Sequence, residues 1–241
     1  WLVQRGISAR RGRTALIVIL VMVLSILTVQ RNRVWQTGVA LWTDVAQKTP
    51  HSARAFYNLG YEYVKDGLVA PALDNFNKAL LIDPDYELAY VNRSQLLLDQ
   101  GNVDLALHDI QQAIRLNPRR ADSYLNRGVI LRRQGHFRAA IKDFEQVLII
   151  DPEHRLAPVN AALTWGNLGR FDTGLRVINA ALKRHGPSAK ALVVRGALQM
   201  AQRETLAAVQ SFSQAITLDP DHIEAYQNRG QAWQVLGRYD E

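Results

Sequence analysis

An internal repeat of 34 residues, counted from Ala53, is the feature that most restricts what this chain can fold into. Small residues recur at the eighth position of each unit, and prolines recur near the thirty-second. The eighth-position residues are Gly60, Ser94, Gly128, Ala162, Gly196 and Gly230. The prolines are Pro84, Pro118, Pro152 and Pro220, with Pro187 one place late. Self-similarity at this period predicts an array of stacked units.

Each unit is predicted to be a helical hairpin. Small residues at positions 8, 20 and 27 let two helices approach closely, and large residues at positions 4 and 24 fill the spaces between them. The pairs Asp-Pro and Asn-Pro break the second helix before the next unit begins. We expect about fourteen residues in the first helix and about thirteen in the second. Glycines that should stop the first helix are Gly67, Gly101, Gly135 and Gly169.

This pattern resembles the tetratricopeptide repeat, whose motif W-x-x-L-G-x-x-Y…A-x-x-x-F-x-x-A…P is matched at most positions. The resemblance covers 53–241 and implies an all-α fold, a right-handed superhelical α-solenoid of antiparallel helix pairs. Pro158 at an aromatic position and Arg203 at a turn glycine depart from the pattern. The predicted units are 53–86, 87–120, 121–154, 155–188, 189–222 and a truncated 223–241.

The stretch TALIVILVMVLSILTV, residues 14–29, contains no charged residue. As a helix it spans roughly 24 Å, and Gln30 with flanking arginines extends it toward the roughly 30 Å hydrocarbon core of a bilayer. A soluble core helix would show a polar face, and this run shows none. We therefore predict a transmembrane helix over 14–30, in contact with the lipid bilayer, behind a basic juxtamembrane segment over 1–13. A signal peptide is the competing interpretation, although no small-residue cleavage site follows the run.

The charge flanking this run predicts its orientation. Four arginines precede it and two follow it closely, so the positive-inside bias places the repeats outside the cytoplasm, in the periplasm or a lumen. Because the sequence begins at Trp1, we expect it to be part of a longer protein, with further spans upstream as one alternative. Residues 32–50 are in phase with a lone second helix, with Trp42, Val45 and Pro50 in place, and are predicted to cap the array.

Asparagine returns at the sixth position of five of the six units, although it is a mediocre helix former. The family resemblance implies that positions 2, 5, 6, 9, 12 and 13 of each first helix line the concave face. An amide can pair with both the C=O and the N–H of a peptide backbone, so a row of amides would hold an extended chain with little regard to its sequence. The row is similar to the asparagine ladder of O-linked N-acetylglucosamine transferases. The predicted groove residues are Asn58, Asn92, Asn126, Asn160, Asn228, Tyr57, Tyr61 and Gln95.

A structural role for the same asparagines is the alternative, because asparagine is common at this position in the family and can cap or bridge neighbouring helices. For the arginines at position 7 we favour structure. Position 23 carries Asp109, Asp143 or Ser211 where position 7 is arginine, and carries Asn75 or Val177 where it is not. That matching predicts a polar bridge between the two helices of one hairpin.

Charge and composition restrict the function classes. Residues 1–33 hold six arginines and no acid, whereas the rest of the chain balances 23 basic against 22 acidic residues. The basicity belongs to one end, so we predict no nucleic-acid partner. With no cysteine, no metal-ligand spacing among the six histidines, and no phosphate loop, we predict no metal, cofactor or catalytic constellation in this segment. No unit has the lysine at position 5 and the asparagine at position 9 that tetratricopeptide proteins use to clamp the terminal carboxylates of chaperones.

The sequence thus predicts a membrane-anchored protein- or peptide-binding scaffold or adaptor, with an extended segment held in the concave groove. The alternative is the acceptor-binding region of a membrane glycosyltransferase. The stretch 31–60 is similar to a junction in protein O-mannosyltransferases, whose catalytic part would lie upstream of Trp1.

Overall fold

The computed structural model describes residues 2–33 and 35–237, and within them the chain forms thirteen helices and no strand. Two compact units are distinguished, one ending at Asn92 and the other beginning at Arg93. The helices are α1 (Leu2–Arg33), α2 (Gly38–Lys48), α3 (Ala53–Lys65), α4 (Val69–Ile82), α5 (Glu87–Asp99), α6 (Val103–Leu116), α7 (Ala121–Arg133), α8 (Phe137–Ile150), α9 (Leu156–Asn167), α10 (Phe171–His185), α11 (Ala189–Ala201), α12 (Thr205–Leu218) and α13 (Ile223–Val235). The fold class predicted from the sequence, an all-α tetratricopeptide solenoid, is confirmed.

Helix α1 of the first unit is longer than the predicted span over 14–30. Its window Ala15–Asn32 has a mean hydropathy of 2.0, and none of that window is buried in the protein. At a rise of 1.5 Å per residue these residues cover roughly 27 Å, so by length and composition the helix is able to cross a membrane. A signal sequence near an amino terminus meets the same criteria. The side chains of the predicted basic segment 1–13, and residues 238–241 of the truncated repeat, lie outside the described part.

Helix α2 packs on α3, the first helix of the first hairpin. Ala46 of α2 is buried against Ala55 and Leu59 of α3, with Trp42 and Val45 alongside. Arg31 of α1 donates to Asp44 of α2 at 3.1 Å, which ties the end of α1 to this helix.

In the second unit, successive helices pack as antiparallel hairpins. Helix α7 packs on α8, α9 on α10 and α11 on α12, while α7 also contacts α9, α9 contacts α11, and α11 contacts α13. The first helices therefore lie side by side. Most hairpins have thirteen residues in the first helix and fourteen in the second, the reverse of the expected lengths. The first helix ends where the sequence predicted, because the turn glycine adopts a left-handed conformation two residues after it, as Gly135 does with φ 79°.

The two helices of a hairpin are held at close range by a pair of matched residues. A Cβ added to Gly128 would lie 2.5 Å from the Phe144 ring, and one added to Gly196 would lie 2.5 Å from Phe212. The aromatic ring thus occupies the space that the missing side chain leaves. Where position 24 is the smaller Ile178, position 8 is Ala162. Close packing therefore restricts the summed volume of the side chains at positions 8 and 24.

A bridge from arginine to carboxylate crosses two of these hairpins, as the sequence predicted. Arg93 contacts both oxygens of Asp109 at 2.7 Å, and Arg127 contacts those of Asp143 at 2.8 and 2.6 Å. Both aspartates are buried. The hydrogen bonds that Arg127 donates to Asp143 raise the pKa of Arg127, although burial opposes this shift. In the fifth repeat Arg195 donates to Ser211 at 2.9 Å, and burial without a carboxylate partner lowers its pKa.

Candidate functional site

The candidate site of the second unit is the surface that carries positions 2, 5, 6, 9, 12 and 13 of α7, α9, α11 and α13, here termed the first-helix face. Because these four helices lie side by side, residues at one repeat position form a row across them. At position 6 the row contains Asn126, Asn160, Val194 and Asn228. The four side chains are in different environments, and those environments decide what each can bind.

Asn160 is buried, with 8% of its surface exposed. Its Nδ2 donates to the carbonyl oxygen of Leu156, one turn earlier in α9, at 3.0 Å. Thr164 donates in turn to the backbone carbonyl of Asn160 at 2.6 Å. The amide of Asn160 thus binds its own helix. This contact favours the structural interpretation of asparagine at this position.

Asn126 and Asn228 differ from Asn160 in both exposure and bonding. Each side chain is half-buried, and neither has a hydrogen bond to another group in the described part of the chain. An amide offers two donors and an acceptor, so each of the two can engage one peptide unit of a partner through both the C=O and the N–H.

A cleft of about 220 Å³ lies where α11 and α13 meet on this face. Its lining combines the amides of Asn228 and Gln231 with the apolar side chains of Ala197, Met200 and Phe212. Met200 occupies position 12 and Ala197 position 9, both of which the family resemblance assigns to the groove. The cleft can accept an apolar side chain while the amides bind the backbone that carries it.

Gln95 lies on α5 and is exposed. Its Nε2 donates to Asp99 at 3.0 Å, within the same helix. This bond is on the surface, so a ligand is able to replace it at small cost.

The other predicted residues lie in the first unit and form an aromatic cluster there. Tyr57 stacks on Tyr61 with ring centroids 6.4 Å apart and contacts Tyr86 at 5.1 Å. Asn92 donates to the Tyr57 hydroxyl at 3.1 Å and to the carbonyl of Leu88 at 3.0 Å. Tyr61 keeps 42% of its surface exposed. Asn92 therefore orients a tyrosine, and the rings present the accessible surface.

Two further side chains complete this cluster. Asn58 is half-buried on α3, and no hydrogen bond to its amide is found within the described residues. The Lys65 ammonium lies 5.1 Å from the Tyr61 ring centroid. Burial raises the pKa of Tyr86, so its hydroxyl stays protonated and neutral.

Tyr86, Met200 and Ala197 were missed as site residues from the sequence. Tyr86 stands at position 34 of the first repeat, where the later repeats have Arg120, His154, Ser188 and His222, so periodicity gave no signal for it. Met200 and Ala197 stand at groove positions, and a count by position alone would have found them. No group of histidines or carboxylates able to hold a metal occurs among the described residues.

Comparisons with known proteins agree with this geometry. A model of the tetratricopeptide repeat family matches residues 91–157 and 159–223, and a second model of the same repeat matches 53–86. The chain belongs to the tetratricopeptide repeat family. Proteins of this family bind peptide or protein partners, and a protein-binding scaffold is the function that this membership supports.

Solved structures with the same fold are remote in sequence. YrrB, a tetratricopeptide protein with an unusual peptide-binding site, is 18% identical over 77% of this chain and 96% of its own, with a TM-score of 0.60. A thermophilic tetratricopeptide protein of Thermus thermophilus is 18% identical over 76% of this chain and 100% of its own, with a TM-score of 0.65. Pseudomonas aeruginosa pilF is 18% identical over 86% and 94%, with a TM-score of 0.66. These likenesses show the fold alone. No curated protein matches the sequence.

Proposed function

We propose that this chain is a membrane-anchored adaptor that holds an extended segment of a partner protein on the first-helix face. The observation that carries the proposal is the cleft between α11 and α13, where two amides stand beside apolar side chains. Such a site binds the backbone by hydrogen bonds and one side chain by burial. This combination suits an extended segment with alternating apolar residues.

The contribution of each amide follows from its environment. Asn126 and Asn228 satisfy no protein group within the described residues, so each can add about 0.5–1.5 kcal/mol per hydrogen bond to a partner. Asn160 already bonds its own helix and contributes to folding instead. In this unit, therefore, only Asn126 and Asn228 of the row bind the partner backbone.

In the first unit the proposed surface is aromatic. Tyr57, Tyr61 and Asn58 form it, and Asn92 fixes the orientation of Tyr57. Aromatic rings bury a large area at low cost in side-chain entropy and are common at binding surfaces. We propose that this surface takes an apolar or aromatic side chain of a partner.

Membrane anchoring rests on α1. Its apolar side chains from Leu16 to Val29 are exposed, and a bilayer would cover them. Trp35, which is 62% exposed, follows the apolar stretch at the place where an interfacial tryptophan anchors a span. With more arginines before the span than after it, the repeats are proposed to lie on the extracytoplasmic side. Nothing in the described residues favours the glycosyltransferase alternative over the adaptor.

Amino-terminal sequencing of the membrane fraction, together with alkaline carbonate extraction, tests the anchor. An intact α1 that resists extraction is the expected result. Removal of α1 from the mature protein would identify it as a signal sequence and contradict anchoring.

The binding test uses the full chain in lipid nanodiscs, screened against an array of unrelated extended peptides. We expect Asn126→Ala with Asn228→Ala to lower binding across most of the array, by about tenfold for two or three lost hydrogen bonds. The matched control is Asn179→Ala, an exposed asparagine of the second helix α10. Equal binding by wild type and the double variant, with unchanged helicity, would make the asparagines structural and overturn the proposal.

A further inference from the structure

A second cleft of the unit that begins at Arg93 lies away from the first-helix face. It has a volume of about 470 Å³ and is bounded by α8 and by the turn that joins α9 to α10. Trp165 projects into it from position 11 of α9. At 100° per residue, position 11 lies roughly 160° around the helix from the mean direction of the groove positions. The cleft therefore lies on a different side of α9 from the first-helix face.

Three cations surround this cleft, namely Arg138 and Lys142 of α8 and Arg170 of the turn. All three are exposed, and none forms an ion pair with a described residue. Glu145 is the single acidic residue of the lining. Elsewhere the charges of the chain beyond residue 33 nearly cancel, so this surplus of positive charge is local.

The spacing of the cations adds a second argument. Arg138 and Lys142 are four residues apart on α8, so they are neighbours on one helix face and repel each other. A carboxylate at position 142 in place of the lysine would attract Arg138 and stabilise the helix. Two carboxylates brought by a partner would remove the repulsion, so the charges of this face complement an acidic ligand.

The floor of the cleft is apolar. Ile141 is buried, while Leu168 and Trp165 are half-buried. The Trp165 indole N–H has no acceptor within the described residues, so it is available to a ligand carbonyl or carboxylate. The volume falls in the range of roughly 300–1,000 Å³ typical of ligand pockets. A large apolar side chain fits such a floor.

We propose that this cleft docks an acidic protein segment in which one large apolar side chain is flanked by carboxylates. The apolar side chain packs on Trp165, Ile141 and Leu168. The carboxylates of the partner segment pair with Arg138, Lys142 and Arg170 at the rim. This site works independently of the amides on the first-helix face, so the adaptor joins two different segments.

The test uses the full chain in neutral-lipid nanodiscs and a labelled peptide with a central tryptophan flanked by aspartates and glutamates. Fluorescence anisotropy at low and moderate salt should show binding that weakens as salt rises. Arg138→Glu with Lys142→Glu should weaken binding by at least about tenfold. Trp165→Ala should weaken it as well, and a peptide with serine in place of the tryptophan should bind less to the wild type.

Matched controls separate this site from general charge and from the first-helix face. Arg119→Glu with Lys190→Glu reverses two exposed cations outside the cleft and should leave binding within about twofold. Asn126→Ala with Asn228→Ala should also leave it unchanged, and it keeps this test distinct from that of the proposed function. Equal binding by wild type and the charge-reversed variant would overturn the proposal. So would binding to phosphatidylserine vesicles by a wild type that ignores the peptide, since the cations would then serve a membrane surface.

Discussion

The hairpins α7–α8 and α9–α10 are neighbours with the same architecture, yet different residues hold them together. In α7–α8 the Phe144 ring fills the space over Gly128, and Arg127 bridges to Asp143. In α9–α10 the corresponding residues are Ile178 and Ala162, and the bridging pair is replaced by Ala161 and Val177. The repeat therefore restricts the total volume and the polar balance at a helix crossing, and several residue sets satisfy both.

The α9–α10 hairpin also draws packing from its neighbour. Gly174 brings α10 so close to α9 that an added Cβ would lie 2.9 Å from the carbonyl oxygen of Ala162. Leu198 of α11 lies 3.1 Å from the same point and 2.7 Å from the Cβ position of Gly166. In α7–α8 the ring that fills the helix crossing belongs to the hairpin itself. In α9–α10 part of the space is filled by Leu198 of the next hairpin.

The largest effect is expected from Phe144→Ala. The ring is fully buried, so its removal should lower the free energy of unfolding by about 3–5 kcal/mol. Urea unfolding of the full chain in mild detergent, followed by circular dichroism, measures the change. Ile178→Ala in the other hairpin should cost less, because a smaller side chain is lost. A larger loss at Ile178 would break the comparison.

The second largest loss of unfolding free energy is expected when one partner of the Arg127–Asp143 bridge is removed. Asp143→Ala leaves Arg127 without its carboxylate, and since the Arg127 side chain is 26% exposed the cost should be about 2–3 kcal/mol, below that of a fully buried pair. Arg127→Ala with Asp143→Val copies the residues of α9–α10 and should recover most of that loss. If the double variant is as unstable as the single one, the two residue sets are not interchangeable.

An exchange of the small residue tests the volume rule directly. Gly128→Ala places a methyl group 2.5 Å from the Phe144 ring, and we expect a loss of about 1–3 kcal/mol from overpacking. Adding Phe144→Ile reproduces the pair Ala162 and Ile178. The double variant should lose less unfolding free energy than the two single variants lose in total. Strict additivity in the same urea titration would contradict the rule.

The turns provide the smallest effect. Both hairpins place a glycine with positive φ after the first helix, Gly135 at 79° and Gly169 at 70°. In α11–α12 the same place is held by Arg203 with φ 65°, the only non-glycine residue with positive φ in the described part. Arg203→Gly relieves this conformation and should raise the free energy of unfolding by about 1 kcal/mol. A stability equal to or below that of the wild type would mean that the arginine side chain compensates for the strain.

The fold and the structural bridge were predictable from the sequence because both depend on periodicity. The small residues, the turn glycines and the matched Arg93–Asp109 and Arg127–Asp143 pairs recur at fixed positions, and the helices follow them. Each helix is within one residue of its expected length in most hairpins, and the turn glycine follows the first helix where the sequence predicted. The exchange of Gly128 and Phe144 for Ala162 and Ile178 is visible in the repeat positions, but only the structure shows that the ring fills the space over the glycine.

The candidate site was predictable only in part. The row of asparagines is a matter of phase, but the burial of Asn160 and the freedom of Asn228 depend on how closely neighbouring helices pack around each side chain. The two clefts of the second unit combine residues from helices that belong to different repeats. No count along the chain gives their volume or their lining.

The most direct test of the central claim is site-specific photo-crosslinking to a peptide selected from the array. The chain has no cysteine, so Gln231→Cys gives a unique attachment point for the crosslinker beside the first-helix cleft, and Asn179→Cys gives a matched point on the second helix α10. Mass spectrometry of the 241-residue chain in nanodiscs then counts the adducts. We predict efficient crosslinking from position 231 that excess unlabelled peptide suppresses, and little from position 179. Equal or stronger capture at position 179 would contradict the claim that extended segments bind on the first-helix face.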